Sequence, residues 1–185
     1  MIWQHIHLNF YTQYSYNKWH KVNDKCPPCH KIPQRVFHII LDCDVTNNLY
    51  SDLQPLLNRL HKSDICDEEK ALGIFNGKTT GIMLRNWVTF LFRRCIAETE
   101  REAYRKPNAT DREKKIKRKL NLMVHAEISR KIFRYKNENK LDNFENFFTH
   151  AKVLCEKHGQ GVFLSGYNFE FMSRGEFSCN SYKNP

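Results

Sequence analysis

The chain has 185 residues and a formal net charge of +10, with 30 Lys and Arg residues against 20 Asp and Glu residues. Its 41% hydrophobic content excludes a chain that is disordered throughout. No apolar run approaches the roughly 20 residues that span a bilayer. The chain does not open with a basic stretch followed by a long apolar stretch, so we expect an intracellular protein of the cytoplasm, the nucleus or both. In that setting the seven cysteines indicate metal ligands or buried thiols rather than disulfides.

The uneven spacing of the glycines divides the chain. Gly73, Gly77 and Gly81 stand together, four more lie between positions 159 and 175, and residues 1–72 and 82–158 contain none. Because glycine interrupts regular structure, we predict a first body over residues 1–72, a linker over 73–81, a helical body over 82–158 and a weakly structured tail over 159–185. The tail should contain at most a short hairpin around Val162–Phe171.

The first body contains a cysteine and histidine motif. Cys26-Pro-Pro-Cys29 is followed by His38 and then Cys43, in the pattern C-x2-C-x8-H-x4-C. Two cysteines in a tight turn can bind one ion, and a second pair of ligands completes a tetrahedral site. Three thiolates and one imidazole favour zinc over magnesium or calcium, and four protein ligands make the site structural rather than catalytic. His30, beside Cys29, remains an alternative to His38 as the fourth ligand.

Two helices are predicted after the motif. Apolar residues recur every three or four positions from Val45 to Leu60, which is the spacing of one helix face, although Pro55 should kink or split this helix. A short helix should begin near Asp67, where acidic residues suit the positive end of the helix dipole, and end near Gly73.

The second body is predicted to hold three helices. The first has an apolar stripe from Leu84 to Cys95, with Arg85 left for another face. Pro107 breaks the chain, and Thr110 or Asp111 can cap the next helix. Its stripe runs for more than four turns. After residues 137–139, a last helix carries apolar residues from Phe144 to Leu154. Three helices joined by short loops fit a small antiparallel bundle.

Most of the net charge lies between residues 101 and 140, which hold 14 cations and five anions, a net of +9. Such clustering favours contact with nucleic-acid phosphates, with Tyr104 and Tyr135 available to stack on bases. A solvated face with ion pairs such as Glu113–Lys117 and Glu127–Lys131 is the alternative. Phe133 is the only bulky apolar residue identified off the stripe, so membrane docking is not expected. The predicted nucleic-acid contacts are Lys114, Lys117, Arg118, Arg130, Lys131 and Arg134.

The motif residues carry a family resemblance. The run from Cys26-Pro-Pro-Cys29 through Phe37-His38-Ile39-Ile40-Leu41-Asp42-Cys43 to Leu49-Tyr50 resembles the zinc-binding domain at the C-terminal end of non-LTR (LINE-like) retrotransposon reverse transcriptases. The later helical segments are similar to that family in pattern more than in motif, and together the resemblance covers about residues 8–158. It implies that Cys26, Cys29, His38 and Cys43 are the metal ligands. Tyr50 stands where the family usually has Trp, a difference that affects packing rather than ligation.

The resemblance and the charge pattern together lead to one expectation of fold and function. We expect a mostly α fold, with a small zinc-stabilised N-terminal body, a three-helix antiparallel bundle and a loosely ordered tail. Because nothing resembles a polymerase palm, an endonuclease or another catalytic motif, we expect a non-enzymatic C-terminal fragment of a reverse transcriptase that binds nucleic acid. The alternative is a protein-interaction module with a structural zinc site and a merely solvated basic face.

Overall fold

The computed structural model describes residues 24–26, 28–31, 33–74, 77–105, 111–158 and 161–164. These residues are mostly helical, as expected. The predicted tail lies largely outside them. Between the elements below, the described chain forms turns and short loops. In chain order the elements are a π-helical turn (His38–Asp42), α1 (Asp44–Leu60), α2 (Asp67–Leu72), α3 (Thr80–Arg105), α4 (Arg112–Asn137), α5 (Leu141–Phe148), a 3₁₀ turn (His150–Lys152), β1 (Cys155–His158) and β2 (Gly161–Leu164).

Helix α1 continues through Pro55 instead of splitting there. Pro55 and Ser51, whose carbonyl loses its hydrogen-bond donor, both lie on the exposed side of the helix, where water can satisfy that carbonyl. The predicted end of α2 is confirmed, because Gly73 follows its last residue with φ +92°. This left-handed conformation favours glycine.

Helices α3, α4 and α5 form the expected antiparallel bundle. Near the end of α3, Glu100 pairs with Arg112 at the start of α4, at 3.2 Å. The end of α4 contacts α5 through aromatic rings, with the centroids of Tyr135 and Phe144 5.9 Å apart. The predicted cap of α4 is also confirmed, since the Asp111 carboxylate accepts a hydrogen bond from the Lys114 amide at 3.2 Å.

The third bundle helix is shorter than predicted. It ends at Phe148, and a 3₁₀ turn with φ of +55° at Ala151 leads into β1 instead. Strand β1 pairs antiparallel with β2, so that Cys155 lies opposite Leu164. The hairpin therefore begins earlier than the one expected around Val162–Phe171.

Helix α1 and the bundle share one hydrophobic core. Buried apolar residues of the π-helical turn, α1, α3, α4 and α5 belong to a single cluster, in which the Tyr50 and Phe92 rings meet edge to face at 4.7 Å. The close approach of α1 to α3 requires glycine at position 81, since a Cβ there would lie 2.1 Å from the Leu60 carbonyl oxygen. One core thus connects the π-helical turn of the predicted metal motif with the basic helix.

Candidate metal centre and basic helix face

The structure brings the four predicted metal ligands together. One ligand atom from each of Cys26, Cys29, His38 and Cys43 lies within 4.8 Å of all the others. The Cys26 and Cys43 sulfurs are 3.8 Å apart, and the Cys29 sulfur is 3.3 Å from His38 Nε2. A tetrahedron with zinc bond lengths has S–S edges of about 3.8 Å and S–N edges of about 3.5 Å. The four residues can therefore hold a metal ion with little rearrangement.

Two local structures place these ligands. Cys29 lies in a tight turn that the Lys25–Pro33 bridge closes, and the turn includes a hydrogen bond of 2.7 Å from the His30 amide to the Cys26 carbonyl. The π-helical turn spans the second pair of ligands, His38 and Cys43. In this turn the Cys43 amide donates a hydrogen bond to the His38 carbonyl at 2.7 Å. This i to i+5 bond matches the H-x4-C spacing, so one turn presents both side chains to the same point.

Of the two candidate histidines, His38 belongs to the cluster and His30 does not. His38 is 4% exposed, whereas His30 lies on the surface with φ +57°. The His38 Nδ1 atom is buried, and among the described residues it has no hydrogen-bond partner. Its Nε2 atom is the one that faces the thiols.

The cluster favours a thiolate at Cys43. The hydrogen bond between the Cys26 and Cys43 sulfurs, the backbone amides of Thr46 and Val45 and the nearby His38 outweigh burial and lower the pKa of Cys43. The same sulfur–sulfur hydrogen bond and its burial raise the pKa of Cys26. Metal binding deprotonates cysteine ligands, so an ion here would replace the proton that the two sulfurs share.

The six basic residues of α4 that were predicted to contact nucleic acid separate into two groups. Lys114, Arg118, Arg130 and Arg134 lie exposed along the outer side of the helix. Lys117 instead pairs with Asp52 of α1 at 2.9 Å and with Glu113 at 2.6 Å. The Lys131 ammonium lies over the Phe148 ring, 6.0 Å from its centroid. We call the side that holds Lys114, Arg118, Leu122, Arg130, Phe133 and Arg134 the outer face of α4.

Acidic residues pair with three cations of the outer face. Lys114 pairs with Asp111 at 2.8 Å, Arg130 with Glu127 at 2.7 Å and Arg134 with Glu138 at 2.8 Å. The predicted Glu113–Lys117 pair is present, but Glu127 pairs with Arg130. Exposed pairs of this kind contribute only about 0–1 kcal/mol, so a phosphate can displace them.

The outer face also carries two exposed apolar side chains. Phe133 is 68% exposed and Leu122 is 49% exposed, so the expectation that Phe133 was alone off the apolar stripe was wrong. Of the two tyrosines considered for stacking, Tyr135 packs edge to face on Phe144, and the Tyr104 side chain lies outside the described residues. The exposed ring of this region is therefore that of Phe133.

A buried polar bridge connects the loop between Cys29 and His38, which we call the metal loop, with the basic helix. The Gln34 amide donates to Glu100 of α3 at 2.7 Å, and Arg112 at the start of α4 pairs with the same carboxylate. Burial raises the pKa of Glu100, and Arg112 and Gln34 oppose this effect. Sequence reasoning missed this bridge because its three residues are far apart in the chain and follow no local spacing.

Comparison with known proteins identifies no family. No protein-family model matches the chain, and no curated protein or solved structure is detectably similar to it. Within the described residues, every helix is too short or too polar to cross a membrane. The residues themselves therefore carry the functional argument.

Proposed function

We propose that the chain is a zinc-stabilised nucleic-acid-binding module. The zinc would hold the metal loop and the π-helical turn together, and the outer face of α4 would contact phosphates. The exposed row of Lys114, Arg118, Arg130 and Arg134 is the observation that carries the proposed contact with nucleic acid. Each cation that meets a phosphate releases counterions, which gives affinity without sequence preference.

The donor set supports zinc in a structural role. Three thiols and one imidazole suit zinc, and four protein ligands leave no open coordination position for a substrate. Cys26 and Cys43 are 0% and 1% exposed, so both sulfurs are withdrawn from solvent. The ion would stabilise a loop that has little apolar core of its own.

Elemental analysis tests the metal. The purified protein should contain about one zinc per chain, and Cys29→Ser should lose it. Cys66→Ser is the matched control, since Cys66 is an exposed free cysteine outside the cluster and its loss should leave the zinc content unchanged. A protein without zinc whose thiols all react freely would refute the metal proposal.

Salt dependence tests the nucleic-acid contact. Binding to an oligonucleotide should weaken steeply between low and physiological salt, with a slope set by the number of phosphates neutralised. The double variant Lys114→Glu and Arg118→Glu should abolish binding and retain the helical fold. A matched control reverses the exposed Lys62 and Lys78, which lie outside α4, and should bind almost normally. Absence of binding at low salt would refute the proposal.

We also propose that the chain derives from the C-terminal part of a non-LTR retrotransposon reverse transcriptase. The support is the sequence resemblance of the motif from Cys26 to Tyr50. A reading frame for a polymerase upstream of the coding sequence of Met1 would agree with this origin. An unrelated upstream sequence, without traces of a polymerase, would argue against it.

A protein-interaction module is the second candidate, and the exposed Leu122 and Phe133 side chains favour it. Apolar side chains among charged ones are typical of a protein-binding patch. Salt separates the two candidates, because an apolar protein contact would show a flat salt dependence where a phosphate contact shows a steep one.

A further inference from the structure

We propose that the outer face of α4 selects single-stranded nucleic acid and that the Phe133 ring stacks on an unpaired base. This inference rests on the nucleic-acid-binding function proposed above and specifies the class of nucleic acid. It starts from the position of one exposed ring within a row of cations. Phe133 is 68% exposed, so its ring is accessible to a partner on a face that is otherwise mostly cationic.

The spacing along α4 fits a strand that follows the helix. At a rise of about 1.5 Å per residue, Lys114 and Arg134 lie about 30 Å apart along the axis. Arg130 is about one turn before Phe133 and Arg134 is the next residue, so both arginines lie within one turn of the ring along the helix axis. Backbone phosphates can meet these cations while a base contacts the nearby ring.

The chemistry of the ring favours unpaired bases over a duplex. Phenylalanine has no donor or acceptor with which to recognise the edges of bases in a groove. It can stack on the flat face of a base, but paired bases in a duplex cover one another's faces. Single-stranded binding proteins combine basic grooves with such aromatic platforms, and each stacked base contributes about 5- to 150-fold in affinity.

The charge of α4 favours a polyanion over a second copy of the chain as the occupant of this face. Residues 112–137 contain ten Lys and Arg residues and two Glu residues. Two such faces brought together would repel each other. A phosphate backbone instead neutralises the cations, and its bases supply the flat partner that the Phe133 ring requires.

Fluorescence anisotropy can test this with labelled oligouridylate, oligothymidylate and a blunt duplex of the same length. Either single strand should bind more tightly than the duplex at equal salt. Phe133→Leu keeps an apolar side chain but removes the ring, and should weaken single-strand binding about 5- to 150-fold. Phe133→Trp should retain binding. Leu141→Ala is the matched control, since Leu141 is 40% exposed on α5, and it should bind like the wild type.

The salt slope separates loss of stacking from loss of phosphate contacts. Phe133→Leu should leave the slope unchanged, whereas Arg130→Gln should reduce it by about one. If the duplex binds as tightly as the single strands, or if Phe133→Leu binds like the wild type, the inference is wrong and the broader proposal stands. If the wild type shows no salt-sensitive binding to any of the three probes, the broader proposal fails with it.

Discussion

Replacement of Arg85 should destabilise the protein more than any change to its exposed arginines. Arg85 was expected on a face away from the apolar stripe of α3, yet it is 0% exposed. Its guanidinium makes two hydrogen bonds to the Glu69 carboxylate of α2, at 2.6 and 2.8 Å. It also donates to the carbonyls of His61 and Ser63 after α1, at 2.6 and 2.8 Å. One side chain thus connects α1, α2 and α3.

The magnitude follows from what Arg85→Met would leave behind. Glu69 is 2% exposed, so its carboxylate would remain buried without a partner, which costs about 3–5 kcal/mol. For a chain of this length that corresponds to a fall in Tm of about 6–20 °C. The double variant Arg85→Met and Glu69→Met should be more stable than Arg85→Met alone, because it also removes the stranded charge.

Urea unfolding followed by far-ultraviolet circular dichroism measures these differences, with zinc kept in excess for every variant. Arg94→Met is the matched control. Arg94 pairs with Glu98 one helical turn away but is 43% exposed, so its loss should cost at most about 1 kcal/mol. A loss of unfolding free energy below about 1 kcal/mol for Arg85→Met would refute the reasoning. So would a double variant whose loss equals the sum of the losses of Arg85→Met and Glu69→Met measured alone.

Two further predictions concern buried polar groups. Burial raises the pKa of Glu100, so the native state binds its proton more tightly than the unfolded state, and the stability due to that proton is lost as pH rises through the native pKa. Glu100→Gln should therefore flatten the fall in stability above about pH 4.5. Urea unfolding at several pH values measures this, and parallel plots of unfolding free energy against pH for the variant and the wild type would contradict it. The Tyr50 hydroxyl is buried and has no hydrogen-bond partner among the described residues. Tyr50→Phe should thus raise stability by about 1 kcal/mol, since burial of an unpaired hydroxyl is unfavourable, and a lower Tm in a thermal melt would count against it.

Patterns that depend on near neighbours were readable in the sequence. The apolar periodicity of α1 and α4, the end of α2 at Gly73 and the cap of α4 at Asp111 all appear in the structure. Each reflects an interaction within a few residues of the chain, such as a capping hydrogen bond. The same holds for the metal cluster, because a tight turn and one π-helical turn span most of its spacing.

The surroundings of the charged side chains could not be read in this way. Arg85 and Arg94 both lie off the apolar stripe of one helix, but α2 and the loop after α1 cover only Arg85. Lys117 and Arg118 are adjacent in the chain, and only Lys117 has Asp52 of α1 within reach. No local pattern distinguishes the members of these pairs.

The sequence by itself determined most of the helices, the cap of α4, the end of α2 and the three cysteine ligands, since these depend on spacing along the chain. Only the tertiary structure decided that Arg85 and Glu100 are buried, that Lys117 turns towards α1, that His38 and not His30 joins the cluster and that Phe133 stays exposed. The physical reason is that the cost of desolvating a charge, and the exposure of a ring, depend on which distant segment packs against that side of the helix.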